Sequence, residues 1–451
     1  MLDHDVVHAA LADVLRSGDT FADLFAERIT NAVYELTDGE LRNARVRTEQ
    51  GVGLRRVRDG TSQYVHTPDL SEAGVRALVP CLRDEVRPTA PAFATCQTPG
   101  AERLLAEMLR LAEAALAEAR RHSSPRFTTH ITTRVVATWQ TVLVGRSDGR
   151  IVRDQRDHAA IHVEVVLRHE RKVRKSRRSV GATHLAGLCQ DDSHLAIARQ
   201  AMEAALLRVE AVEAPSGEMT VILGPGGPAV LLHEACGHAL EADIARQASS
   251  AYAGCLGRQV AAPIITVIDD PAPSESAALY HFDDEGEPAR PTVLIEQGIL
   301  RNYLYDRRSA GAGRASNGHG RRLSYAYQPL PRMSTTYVAP GESSFEEIVA
   351  GTKQGILVQS ISGGDTDMGS GRFNLRVDEG YLVENGRITA PILGTMLSGH
   401  GPKVLHAIDR VSTDCQFLNY CYLCNKLDQF PLVVSVGQPA LRVPQLLVWG
   451  G

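Results

Sequence analysis

Leu231-Leu232-His233-Glu234-Ala235-Cys236-Gly237-His238-Ala239-Leu240-Glu241-Ala242-Asp243 places two histidines and a glutamate inside an apolar, alanine-rich run of helical character. Hydrolytic metal chemistry needs neutral imidazole ligands, an open coordination position for water and a carboxylate beside that water. The familiar helical version sets its histidines four residues apart, one turn, so that both face one ion. Here the spacing is five. In a regular α-helix that rotates the second ring by about 140° from the first, too far to share a metal. The rings converge only if the helix widens locally, as in a single π-turn. Gly237, without a side chain, is expected to ease that distortion. The plainer reading is a buried amphipathic helix that happens to carry two polar side chains.

Further strings accompany the motif: Ala251-Tyr252-Ala253-Gly254, Val267-Ile268-Asp269-Asp270, Phe282-Asp283-Asp284-Glu285-Gly286, Pro331-Arg332-Met333 and Gly437-Gln438-Pro439. With the five-spaced His-Glu-x-x-x-His they resemble the TldD branch of the TldD/PmbA metalloprotease family. The likeness covers most of 217–451 and is more diffuse before it. It implies a zinc-dependent peptidase or amidase whose third protein ligand is a distant C-terminal cysteine. Cys424 matches best, because Asn425-Lys426 and then Gln429 follow it much as Gly-Lys and Gln follow the family cysteine. Asn425 and Asp428 stand where glycines are usual, and one extra residue precedes Gly437-Gln438-Pro439. Cys421 is therefore the alternative, and Cys415 a more distant one. The resemblance also implies a heterodimer with a PmbA/TldE-like subunit that lacks the metal motif. Its expected substrates are unfolded peptides or natural-product precursors. The alternative function is a non-catalytic, partner-binding subunit of such a complex, against which the intact His233, Glu234 and His238 speak.

Glu234 adjoins the first histidine and is the expected general base. Cys236, three residues after His233, reads as a packed thiol. Glu241 and Asp243 fit either carboxylates that orient the imidazoles or a solvated helix face. His319, His400 and His406 lack ligand spacing.

A chain of 451 residues exceeds one simple core, and two domains are expected, 1–214 and 215–451, meeting near Glu213-Ala214-Pro215-Ser216-Gly217. The expected class is α+β: a mixed N-terminal domain, then a mainly antiparallel, barrel-like C-terminal domain holding the metal helix. In the first half, helices are expected over 3–16, 70–83, 102–121 and 195–212, and strands over 21–30, 51–57, 127–144 and 159–167. Short strands separated by turns such as Glu384-Asn385-Gly386 recur after the motif, over 263–268, 292–295, 299–305, 355–361, 373–383 and 432–436. A surface helix is expected over 343–354. Gly363 to Gly371 reads as a glycine-rich loop.

Hydrophobic content of 43% with 22% charged residues is ordinary for a globular protein, and the net charge of −5 argues against general nucleic-acid binding. The one basic run, Arg168 to Arg178, has no aromatic interleaving and reads as a solvated strand pair. Gly224-Pro225-Gly226-Gly227-Pro228 lacks the Lys-Ser/Thr of a phosphate loop. No apolar run is long enough to span a membrane, and Met1-Leu2-Asp3-His4-Asp5 lacks the start of a signal peptide. Five of the eight cysteines are scattered, as suits reduced thiols, and a cytoplasmic protein is expected.

Overall fold

The computed structural model describes residues 1–58, 60–84, 95–96, 100–247, 250–273, 279–311, 314–418, 420 and 422–450. The chain is α+β. Its first half is built on a long antiparallel sheet. In spatial order its main strands are Thr61–Thr67, Glu40–Arg58, Asp19–Thr37, Thr128–Arg146, Ile151–His169 and Lys172–Ala182. Four of these strands run 19 residues, well beyond the shorter segments that their apolar alternation marks. Arg55 and Arg56 interrupt that alternation, yet both are buried.

The period of two in Asp19–Thr37 explains how the sheet divides its neighbours. Ala22, Leu24 and Ala26 pack with the helices His4–Val14 and Glu72–Asp84, while Ala32, Tyr34 and Leu36 pack with Ala101–Arg121 and Ser193–Leu207. The odd-numbered side of the strand looks the other way: Phe25 packs with Val142, Val144 and Tyr325. One face is thus covered by helices and the other by the second half of the chain. The basic run lies on the last hairpin of the sheet, Ile151–His169 with Lys172–Ala182, largely solvated.

The second half contains a closed five-stranded barrel. Gly217–Leu223 pairs in parallel with Gln354–Asp367 and antiparallel with Leu441–Trp449. Thr395–His400 and Arg372–Glu384 close the circuit back to Gln354–Asp367. The Asn385-Gly386 turn leads from Arg372–Glu384 into Arg387–Ile392, both residues at positive φ as such turns require. A second sheet runs Ile299–Leu300, Thr292–Glu296, Val267–Asp269, Thr335–Val338, Gln429–Gln438 and Gln416–Phe417, with Tyr422–Lys426 also paired to Gln429–Gln438. Two expected strands, 263–268 and 299–305, are shorter here. The one expected from 299 to 305 ends at Leu300, because Asn302 and Tyr305 turn away to hydrogen-bond Val293 and Asn317. The surface helix shrinks to Phe345–Ala350, between a Ser344/Glu347 capping box and Gly351.

Gly363 to Gly371 is not a free loop. Its first part continues the strand Gln354–Asp367, and its tip docks on the motif region through Ala251 N–H to Gly369 O (2.8 Å) and Gly401 N–H to Gly371 O (2.8 Å). Among the described residues no helix is long and apolar enough to cross a membrane.

Candidate metal centre

The motif begins as a turn of α-helix, Val230–Leu232, and changes at the first histidine. His233–Gly237 is a π-turn, in which the His238 N–H donates to the carbonyl of His233, an i→i+5 bond. One turn of 3₁₀-helix, His238–Leu240, follows. The widened turn brings the rings together, with centroids 4.9 Å apart and planes at 80°. The helix is not amphipathic: Leu231, Leu232, Ala235, Cys236, Ala239 and Leu240 are all core residues of the second half.

Gly237 is required, though not for its backbone, which is ordinary right-handed helix (φ −58°, ψ −51°). A Cβ there would lie 2.1 Å from the sulfur of Met333. Gly401 is under similar pressure, since its Cβ would meet the Ala235 carbonyl at 2.1 Å. The Met333 side chain and the Gly401 backbone thus both press closely on the π-turn.

Cys424 completes the cluster from the strand Tyr422–Lys426. Its sulfur lies 3.3 Å from His233 Nε2 and 3.4 Å from His238 Nε2, and one ligand atom from each residue falls within 4.8 Å of the others. Two nitrogens and a sulfur around a tetrahedral zinc stand roughly 3.5 Å apart, given Zn–N near 2.0 Å and Zn–S near 2.3 Å. All three side chains are buried. Burial alone pushes the Cys424 thiol up, but the imidazoles of His233 and His238 together outweigh it and hold the thiol well below its usual range. A thiolate is the form that ligates metal. Glu234, on the same turn, is half-buried and accepts a hydrogen bond from the Tyr422 hydroxyl (2.9 Å).

Around this cluster the charges form a chain. His238 Nδ1 lies 3.0 Å from Glu241, which fixes the tautomer and turns Nε2 toward the sulfur. Burial disfavours a charged imidazole at His238, but Glu241 and Cys424 together raise its pKa to about 10. That value describes a site that attracts positive charge, and a metal ion competes with the proton for the same nitrogen. Glu241 also takes Lys426 Nζ (2.9 Å) and the Met333 N–H (3.3 Å). Lys426 spends its remaining donors on Asp243 (2.7 Å) and the Pro331 carbonyl (2.8 Å), so the buried ammonium is satisfied. Against its burial, Lys426 and His238 hold the Glu241 carboxyl well below the usual range.

The structure therefore brings together His233, His238, Glu234 and Cys424. Cys415 is elsewhere, its sulfur directed to Val338 O (3.6 Å), and Cys421 lies outside the described residues. Cys236 is buried, its thiol pushed up to about 12 by burial. His319 is bound up with Asp269 (2.9 Å) in the core. Glu241 and Asp243 face inward rather than forming a solvated face. Tyr422 escaped the sequence reading, although a strand through Cys424 puts the residue two positions earlier on the same side. On the opposite side, Leu423 borders a cleft of about 900 Å³ that lies between the N-terminal sheet and 417–435 and is lined by Val33, Arg47, Val136 and Phe417 among others.

Two buried histidines joined by a π-turn and a buried cysteine from a strand, with a carboxylate on the turn, define a metallohydrolase-type centre. Family models support this class along the chain: PmbA/TldA metallopeptidase domain 1 matches 22–80, the central domain 97–209 and the C-terminal domain 216–450. The "Metalloprotease TldD homolog" of Haemophilus influenzae is 32% identical over 95% of this chain and 93% of its own. The "Zinc metalloprotease TldD homolog" of Saccharolobus solfataricus is 35% identical over 52% of each chain. The crystal structure of TldE from Thermococcus kodakarensis superposes with a TM-score of 0.78 over 99% of both chains at 17% identity, a likeness of fold. The chain belongs to the PmbA/TldD metallopeptidase family, and its similarity extends to relatives named as TldD homologs.

Proposed function

We propose that this chain is a zinc peptidase in which His233, His238 and Cys424 hold the metal and Glu234 is the general base. The observation that carries the reading is the convergence of two imidazole nitrogens and a thiolate sulfur at separations suited to one tetrahedral ion. The name of the Saccharolobus relative supports zinc in particular. Bound zinc would polarise the scissile carbonyl and acidify a water. The chain's own contribution is the rest. Glu241 keeps His238 in the ligating tautomer, Glu234 accepts the proton of the attacking water, and the same carboxylate passes it to the leaving nitrogen.

The substrate we infer is a flexible peptide, either unfolded protein or a natural-product precursor. The name of the Haemophilus relative, a metalloprotease, supports a peptide as the substrate. We also propose a heterodimer with a PmbA/TldE-like subunit, a cytoplasmic setting, and 1–214 and 215–451 as the two folding units. Co-expression with such a subunit, followed by light scattering, tests the assembly; a fully active monomer would count against it.

The decisive experiment separates ligation from catalysis. Glu234→Gln is expected to keep near-stoichiometric zinc and lose about 10²–10⁴ in turnover of a flexible peptide pool. His233→Ala, His238→Ala and Cys424→Ala are each expected to lose zinc, while Cys236→Ala and Cys421→Ala keep both metal and activity. Full zinc in Cys424→Ala with loss in Cys421→Ala would move the third ligand.

A further inference from the structure

A general base is effective only when its carboxylate is held within hydrogen-bond reach of the water it deprotonates, and misplacement by about 1 Å can cost on the order of 10²-fold in rate. Glu234 sits half-exposed on a single π-turn, where its side chain has rotational freedom to lose. Among the described residues, one side chain hydrogen-bonds it. The Tyr422 hydroxyl donates to Glu234 Oε1 at 2.9 Å, and the Tyr422 ring meets the His233 ring edge-on, centroids 5.4 Å apart and planes at 78°. Tyr422 is itself anchored: its backbone pairs with Val434, and its ring packs against the core that holds the motif. The tyrosine stands two residues before Cys424 on one strand, so strand alternation puts phenol and thiolate on the same side.

We propose that Tyr422 is a positioning residue of the hydrolytic reaction: its phenol fixes the Glu234 carboxylate by occupying Oε1 and leaves Oε2 to take the proton from water. The inference rests on Glu234 being the base. A phenol suits the task, because it supplies one directed donor and its rigid ring, wedged on His233, cannot follow the carboxylate if that swings away.

Tyr422→Phe keeps the ring and removes only the hydroxyl. The expected result is full zinc content, an unchanged melting temperature within a few degrees, and kcat lowered about 10- to 100-fold with KM within twofold. In cobalt-loaded protein the visible absorption should keep its intensity and position, since the ligands are the same. Because Tyr422 acts through Glu234, the double variant Tyr422→Phe/Glu234→Gln should be no slower than Glu234→Gln alone. Unchanged kcat in Tyr422→Phe would overturn the proposal. Loss of zinc would do so as well, by making Tyr422 a support for His233. A further loss in the double variant would overturn it by placing the phenol on the substrate. Full activity of Glu234→Gln would instead refute the base assignment beneath it, an outcome distinct from the other three.

Discussion

Arg55 lies between Asp23 (2.7 Å) and Glu285 (2.6 Å) where the N-terminal sheet meets the second half, and Arg156 pairs with Asp284 (2.7 Å) beside it. At the metal centre, His233, His238 and Cys424 face one another; Lys426 reaches Glu241, and Arg332 donates to the Cys424 carbonyl (3.3 Å) rather than to the sulfur. Both regions bury charge almost completely. At the seam each carboxylate meets a guanidinium that cannot be deprotonated, so compensation is permanent and specific to two halves in register. At the centre the compensating positive charge is exchangeable, a proton or a metal. One arrangement suits holding domains together; the other suits chemistry.

If that division is right, variants in the two regions should fail in different ways. The largest effect belongs to the ligands: Cys424→Ala should abolish metal binding and bring peptide cleavage to background, with zinc measured by elemental analysis. Arg55→Met should do the reverse. It leaves Glu285 buried without its guanidinium and Asp23 with only the more distant Arg322 (3.6 Å), and should destabilise the fold by about 3–5 kcal/mol in urea titration, while protein that remains folded keeps its zinc. Loss of zinc from folded Arg55→Met would show that the seam and the centre are coupled.

Glu27 sharpens the contrast through pH. Burial raises its pKa from the ordinary 4.5 to about 7, although the Tyr325 N–H (2.6 Å) and Gln140 (2.8 Å) both favour its ionised form. Between those values the native chain holds a proton that the unfolded chain has released. Stability from this group should therefore be full below about pH 4.5 and decline as pH rises through about 7. The decline is about 3 kcal/mol at most. Glu27→Gln should flatten that slope and be the more stable form at pH 8, as urea titrations at several pH values would reveal. A parent slope of the opposite sign would refute it. The smallest effect is expected at Glu241→Gln, which weakens the support of His238 and should lower zinc affinity by about tenfold, read by competition with a chelator.

Much of the centre was legible because its information is local. A five-residue spacing cannot be satisfied by a regular helix, and the bond from His238 N–H to His233 O is the widened turn that spacing demands. Cys424 was not legible in that way: it lies 191 residues from His233, and only the resemblance pointed to it. The seam was opaque for the same reason. Arg55 looked like an interruption in a strand because its partner Glu285 is 230 residues away. Pattern reading treats a charged residue as solvent-facing, and it cannot see the opposite charge that makes burial tolerable. Glycine at 237 was foreseen for backbone latitude, whereas Met333, packed from a distant segment, is what excludes a larger residue.

The π-turn also bears on how such a motif can arise. A π-turn is an α-turn with one residue added, so the five-spaced histidines differ from the four-spaced pattern by an insertion and by no substitution. Deleting one residue between His233 and His238 would restore a regular helix but rotate everything beyond it by about 100°. Glu241 and Asp243 would then leave Lys426. Point mutation offers no gradual route between the two geometries. A lineage that acquired the extra residue, together with the partners now fastened behind it, had no simple way back.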